Sequence, residues 1–184
     1  MDLRVKKTEI SIYNAFMELR AEKPLEKISV KELTDRALIS KQTFYLHYQD
    51  IFDLSEHIEA RLIDEIMQDI NYPDNFVENI KPVTVDIFNR CLEKRQLIRT
   101  VFSGSRNSVF TNGIERELKA AVYKQRPELR ADLKTNIYIT FLVQGCYHAY
   151  QQYGPINLER VVKIISDLTD DFAIHYSTNE YPLM

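Results

Sequence analysis

Along most of this chain apolar residues recur every three or four positions, the spacing of one face of an α-helix. In residues 2–22 the stripe is Thr8, Ile12, Ala15, Phe16 and Leu19, with Pro24 just past its end. A shorter stripe follows at Val30, Leu33, Thr34 and Ala37. Ser29 and Glu32 have capping-box spacing, and Ile28 and Leu33 flank them at hydrophobic-staple spacing. A helix start is therefore expected there, with the Glu32 carboxylate reaching back to the Ser29 amide. Ser40 repeats the cap, set between Ile39 and Phe44. From Asp50 to about Ile70 a long helix is expected, with Asp53 in its first turn. Phe52, Leu54, Ile58, Leu62, Ile66 and Ile70 form its apolar side, and Asn71-Tyr-Pro-Asp74 ends it.

The pattern then loosens. Residues 75–126 read as two or three helices. One starts at Lys81-Pro82 and runs to about Phe102, carrying Val85, Phe88, Cys91, Leu92, Ile98 and Val101. Ser103–Ser108 is a connection, without the flanking strand and lysine of a phosphate loop. Asn112-Gly113 opens the next helix, which stops at Gln125-Arg-Pro127. Glu128–Tyr153 carries Leu133, Ile137, Phe141, Val143, Gly145, Tyr147 and Tyr150 on more than one face. Gly154 takes the left-handed cap position there, with Pro155 just beyond. Leu158, Val161, Val162, Ile165, Leu168, Thr169, Phe172 and Tyr176 continue the period, with Ile164 and Ile174 off the stripe.

An all-α protein is the expectation, divided near residue 70. Helices apolar over so wide an arc have more to bury than one core takes. A two-fold dimer pairing the two last helices (residues 128–153 and 158–176) into a four-helix bundle would cover the surplus. A monomer with a thick core is the competing account, and Gly145 would let helices approach closely in either.

Composition sharpens this picture in three places. Only 4 Gly and 6 Pro in 184 residues favour helix over sheet. The net charge of −3 excludes a wholly basic nucleic-acid binder, so any DNA contact must be local. Residues 1–50 hold 9 Lys/Arg against 8 Asp/Glu, a bias of only +1. Cys91 and Cys146 lie far apart without metal-ligand spacing, as packed, reduced thiols would. The absence of a secretory segment and of a membrane-length apolar run implies a cytoplasmic protein. The histidines, cysteines and carboxylates show no spacing for a catalytic triad, metal site or acid–base pair, so neither an enzyme, a metal nor a cofactor is expected.

Two capped helices about ten residues apart are the spacing of a helix-turn-helix, here about residues 28–48. If Phe44 and Tyr48 face the core, Gln42, Tyr45, Leu46 and part of Thr43 face away at 100° per residue, flanked by Lys41 and His47. Such a surface suits base edges in the middle and phosphates at the rim. Arg4, Lys6 and Lys7 oppose the dipole of the first helix, so they do not serve its stability. They form either an arm along DNA or an ordinary solvated terminus, and the neighbouring pair of helices favours the arm.

Ser40-Lys-Gln-Thr-Phe-Tyr-Leu-His-Tyr48, followed by Gln49-Asp-Ile-Phe-Asp-Leu54, resembles the recognition helix and next helix start of the TetR family of bacterial regulators. The resemblance covers roughly Arg4 to Ile66; the rest agrees only in length and helical character. It implies an N-terminal three-helix DNA-binding domain (1–70) joined to a larger effector-sensing and dimerisation domain (71–184). The function implied is a ligand-responsive homodimeric repressor of a palindromic double-stranded DNA operator. An alternative is a relative acting through a partner regulator as a co-activator. By the resemblance Gln42 and Thr43 reach bases, Tyr45 and Leu46 touch bases or backbone, and Lys41, His47 and Tyr48 hold phosphates. Lys6, Lys7, Ser29 and Ser40 complete the expected DNA-binding set. Two positions depart from the family pattern: Leu38 stands where glycine is common, and Ile51 where lysine is. A small-molecule effector pocket is expected among Phe88, Phe102, Phe110, Tyr123, Tyr138, Phe141, Gln144, Tyr147 and His148, although an aromatic stripe also suits plain core.

Overall fold

The computed structural model describes residues 3–74, 77 and 79–178, with side chains through Ile174. Among them are nine α-helices and no strand. They are α1 (Leu3–Glu22), α2 (Val30–Ala37), α3 (Lys41–Tyr45), α4 (Ile51–Met67) and α5 (Lys81–Glu93). After these come α6 (Arg95–Val101), α7 (Asn107–Gln125), α8 (Leu133–Tyr153) and α9 (Leu158–Thr178). No helix among the described residues is long and apolar enough to cross a membrane. Tyr176, expected on the last apolar stripe, has its side chain outside the described residues.

The chain forms two compact units, one of Met1–Leu62 with Arg95–Val109 and one of Ile63–Lys94 with Phe110–Met184. The division thus falls inside α4, and 95–109 joins the first unit, neither of which the 1–70/71–184 division anticipates. The helix expected over 81–102 breaks at Lys94 (φ −98°, ψ 11°), where the chain passes from the second unit to the first. Glu93-Lys94-Arg95-Gln96 interrupts the apolar period there, so neither side of the break has a stripe to continue.

In the first unit, Ile12, Ala15, Phe16 and Leu19 of α1 pack with Leu33 and Ala37 of α2, Phe44 of α3, and Ile51 and Leu54 of α4. Ile51, at the position where a lysine was expected by resemblance, is buried in this core. The Ser11 hydroxyl donates to the Ala37 carbonyl at 3.0 Å, satisfying an orphan acceptor at the end of α2. Asp50 accepts from the Phe52 and Asp53 amides (2.7 and 2.9 Å), and Asp53 reaches back to the Gln49 amide at 2.8 Å. These bonds fix the start of α4.

The segment 95–109 is held to the rest of that unit by buried polar groups. Glu59 of α4 is 1% exposed; its carboxylate accepts from the Ser55 hydroxyl at 2.7 Å and from both Nε and Nη2 of Arg106. Arg20 of α1, also buried, donates to the Val101 carbonyl at 3.1 Å and to the Ser103 hydroxyl at 2.7 Å. Val101 and Phe102 are buried between these bonds in sequence.

In the second unit, α9 packs on α5 and α8. Ile63, Ile66 and Met67 at the end of α4 are buried, as are Val83, Phe88, Phe110, Ile114, Leu118 and Ile139 of the same unit. Arg90 donates to the Gln68 and Asp69 carbonyls (2.7 and 3.3 Å), capping α4 where Asp69 turns left-handed (φ 60°). Contrary to expectation, Asn112-Gly113 does not open a helix: α7 begins at Asn107 and runs through it. A Cβ on Gly113 would lie 2.2 Å from the Ile63 Cδ1, so any larger residue there requires the Ile63 side chain to move. The helix expected from Glu128 starts only at Leu133, where Asp132 accepts from the Thr135 amide at 2.7 Å. Gly154 is right-handed (φ −53°, ψ −37°), so α8 does not end on a left-handed glycine. The missing donor of Pro155 is the stop. Gly145 meets no neighbouring atom within 4 Å, so within the protomer it serves no close helix approach.

Arg106→Met is expected to destabilise the protein by about 3 kcal/mol, because it leaves the Glu59 charge buried and unpaired. Glu59→Met combined with Arg106→Met should cost clearly less than Arg106→Met alone. Urea-unfolding midpoints give the order; a double variant as weak as the sum of two singles would show that the two groups do not act as a pair.

Candidate nucleic-acid interface

The candidate face is built by α2, α3 and the connection between them. Ser29 caps α2 by accepting from the Glu32 amide at 3.2 Å. The reciprocal half of the expected capping box is not made. Glu32 instead bonds Lys23, just past the end of α1, at 2.5 Å, and the Ser29 amide does not receive its carboxylate. α2 then ends at Leu38, whose backbone is left-handed (φ 56°, ψ 41°) although leucine adopts that region at a cost. The Leu38 side chain is 91% exposed, so no burial offsets the strain. The left-handed residue lets the Ile39 amide reach the Thr34 carbonyl at 3.1 Å, and Ile39 packs on the core.

Ser40 caps α3, accepting from the Thr43 amide at 3.0 Å, with the two hydroxyls 2.8 Å apart. The helix is only five residues long, shorter than the Ser40–Tyr48 expectation. His47 and Tyr48 nevertheless stay wound, their amides donating to the Phe44 carbonyl at 2.9 and 3.0 Å. Phe44 is fully buried. That one orientation sends Lys41, Gln42, Tyr45 and Leu46 outward, Tyr45 and Leu46 being 56% and 80% exposed. Thr43 is half-buried, its hydroxyl engaged by Ser40.

Tyr48 lies on the inner side, partly buried, its ring 5.8 Å from Phe44 and edge-on to His57 at 5.5 Å. Burial, then the charges of Glu9 and Asp53, hold its phenol above the usual range, so it remains a neutral donor at ordinary pH. His47 is half-buried, its Nδ1 3.9 Å from the Glu9 carboxylate of α1. Lys6 and Lys7 are exposed on α1, and Ser29 and Ser40 are exposed at the two caps.

Some cations of the chain are paired and others are not. Lys23, Arg36, Lys94, Arg106 and Lys119 each meet a carboxylate. Lys6, Lys7 and Lys41 have none among the described residues.

The residues expected to line an effector pocket come from both units. Phe102 belongs to the first unit and the other eight to the second. There Phe88 and Phe110 are buried, set against Tyr150 at 5.8 Å and Tyr147 at 5.3 Å, and Tyr138 is buried too. Tyr123 bonds Asn136, and Gln144 lies 3.4 Å from both Asn112 and Glu115. Phe141 and His148 are exposed, Phe141 edge-on to Phe172 of α9 at 5.2 Å. Cys91 and Cys146 are free and partly covered; burial pushes both thiols up to about 12, far from the thiolate form.

No protein-family model and no curated protein matches the chain.

Leu38→Gly is expected to raise stability by about 0.5 kcal/mol, the relief of left-handed strain exceeding the added freedom of the unfolded chain. Thermal unfolding checks the sign. A loss of stability would mean the exposed leucine side chain itself holds the turn.

Proposed function

We propose that the protein is a homodimeric, ligand-responsive transcriptional regulator of TetR-like type. In this reading α2 and α3 are a helix-turn-helix, with 1–70 the DNA-reading part and 71–184 the sensing and dimerising part. One observation carries the reading: a buried Phe44 that leaves Gln42, Tyr45 and Leu46 outside, beside a Lys41 with no carboxylate partner. Gln42 offers an amide suited to adenine, Tyr45 and Leu46 offer apolar surface for a thymine methyl, and Lys41 meets phosphate. Half-buried Tyr48 and His47 stand toward α1 and α4 and supply donors at the edge of this surface.

Dimerisation is supported by what α8 and α9 leave uncovered. Leu133, Ile137 and Phe141 follow one another at four-residue steps and remain exposed, with Gly145 next in the row. Ile164, Leu168 and Phe172 do the same on α9, and the two rows meet where Phe141 touches Phe172. A contiguous apolar surface of this kind marks an association site, and a second copy of the same two helices closes it as a four-helix bundle. Gly145, facing open space in the protomer, then admits the partner helix closely.

The proposed switch uses α4, whose first part lies in one unit and whose end lies in the other. An effector that prefers one position of this helix changes the separation of the two α3 copies. Adjacent major grooves on one DNA face recur about every 34–36 Å, so a misplaced pair cannot engage both. Shifting the balance from 1:99 to 99:1 takes roughly 5.5 kcal/mol of differential affinity.

Selection of bound fragments from genomic DNA, followed by a mobility-shift assay, tests the reading. Lys41→Ala and Tyr45→Ala are each expected to weaken operator binding about tenfold or more, with unfolding midpoints unchanged, and binding should fall steeply with salt. Absence of any specific shift at low salt would favour action through a partner regulator. Phe141→Asp is expected to convert the dimer to monomer in sedimentation equilibrium; a dimer that persists would place the interface elsewhere.

A further inference from the structure

On the outer side of α7, Asn112, Arg116, Ala120 and Tyr123 line one helical face, and Arg130 comes across from the short turn Pro127–Arg130 that follows. With Glu115 and Lys119 they enclose an open groove of about 540 Å³, lying within the second unit. Ala120 is the small residue at its centre and is exposed, so nothing of the chain fills the middle. The Tyr123 ring forms an apolar wall, with the Arg130 guanidinium over it at 5.5 Å from the ring centre. This stacking holds the arginine fork in place without using its hydrogen-bond donors.

Side chains of the groove are tied to α8 by hydrogen bonds. Tyr123 bonds Asn136, Lys119 bonds Glu115 and Thr140, and Glu115 accepts from Thr140 and lies near Gln144. These rungs join α7 to α8 at successive turns, Asn136, Thr140 and Gln144 being four residues apart. Burial works to raise the Glu115 carboxyl, but Lys119, Thr140 and Gln144 outweigh it and keep it ionised. Its charge is thereby spent on Lys119. Arg116 leans on Glu117 at the rim, while Arg130 has no carboxylate partner among the described residues. Three cations and one committed acid therefore line a groove with an aromatic wall and an empty centre.

We infer that this groove binds a small aromatic anion, its ring against Tyr123 and Ala120 and its carboxylate, sulfonate or phosphate taken by Arg130. The inference goes beyond the DNA-binding reading and does not depend on it, since binding is measured on the protein without DNA. It also assigns a charge to the ligand, which the aromatic stripe of the chain does not.

Titration calorimetry of the full chain with 2-naphthoate, and separately with neutral 2-naphthamide, tests it. Naphthoate is expected to bind at least tenfold more tightly than the amide. Arg130→Gln should remove most of that preference, and Ala120→Phe, which fills the centre without touching a charge, should abolish binding of both. Circular dichroism confirms that each variant is folded. The inference is overturned if naphthoate fails to bind at millimolar concentration, if acid and amide bind alike, or if neither substitution changes the affinity.

Discussion

The proposed reading face depends on the burial of a single ring. A helix of five residues has no stability of its own, because nucleation costs more than its few hydrogen bonds return. α3 is therefore held by what surrounds it: Phe44 in the core, Ser40 at its start, and Tyr48 packed just past its end. Removing the ring would forfeit about 3–5 kcal/mol of packing and with it the main constraint on how the helix is rotated. Since side chains one residue apart are separated by 100°, fixing Phe44 inside fixes Lys41, Gln42, Tyr45 and Leu46 outside. The composition of this face is thus a consequence of core packing rather than an addition to it.

A second constraint acts on the same unit from far along the chain. Arg106 neutralises Glu59, 47 residues earlier, and Arg20 bonds the carbonyl of Val101, 81 residues later. Each group would be costly to bury alone, and each is buried because its partner arrives from a different helix. This is why 95–109 belongs with α1 and α4, despite lying beyond α5 in sequence. The consequence is that the first unit is not complete until the chain has reached α7.

What the sequence carried legibly was whatever a short window can encode. Caps at Ser29 and Ser40, the stripes of α1 and α2, and the outward set around Phe44 all follow from spacing within a dozen residues. The half-made box at Glu32 shows the limit, because its carboxylate had a better electrostatic partner in Lys23 across the helix pair. Gly113 was misread for a similar reason. In sequence it looks like a helix start, but it lies inside α7 against Ile63, fifty residues earlier. Leu38 was legible as an oddity and not as a solution: the turn needed a left-handed residue, and leucine supplied it. The apolar surplus of α8 and α9 was readable, whereas the polar rungs between α7 and α8 were not, since no pattern in either helix announces its partner.

The charge distribution joins these observations. At physiological ionic strength fields fade over about 8 Å, so a surface is felt by its own neighbourhood and not by the total of −3. Pairing then matters more than composition. Where lysines and arginines meet carboxylates, as at Lys23, Arg36 and Arg106, they act as struts between helices and present little net field. Where they are left without partners, as at Lys6, Lys7 and Lys41, the same residue types become available to an outside anion. A chain that is acidic overall is in this way compatible with the phosphate contacts proposed for Lys6, Lys7 and Lys41. Glu9, an acid of α1, lies 3.9 Å from the His47 Nδ1, just past the end of α3.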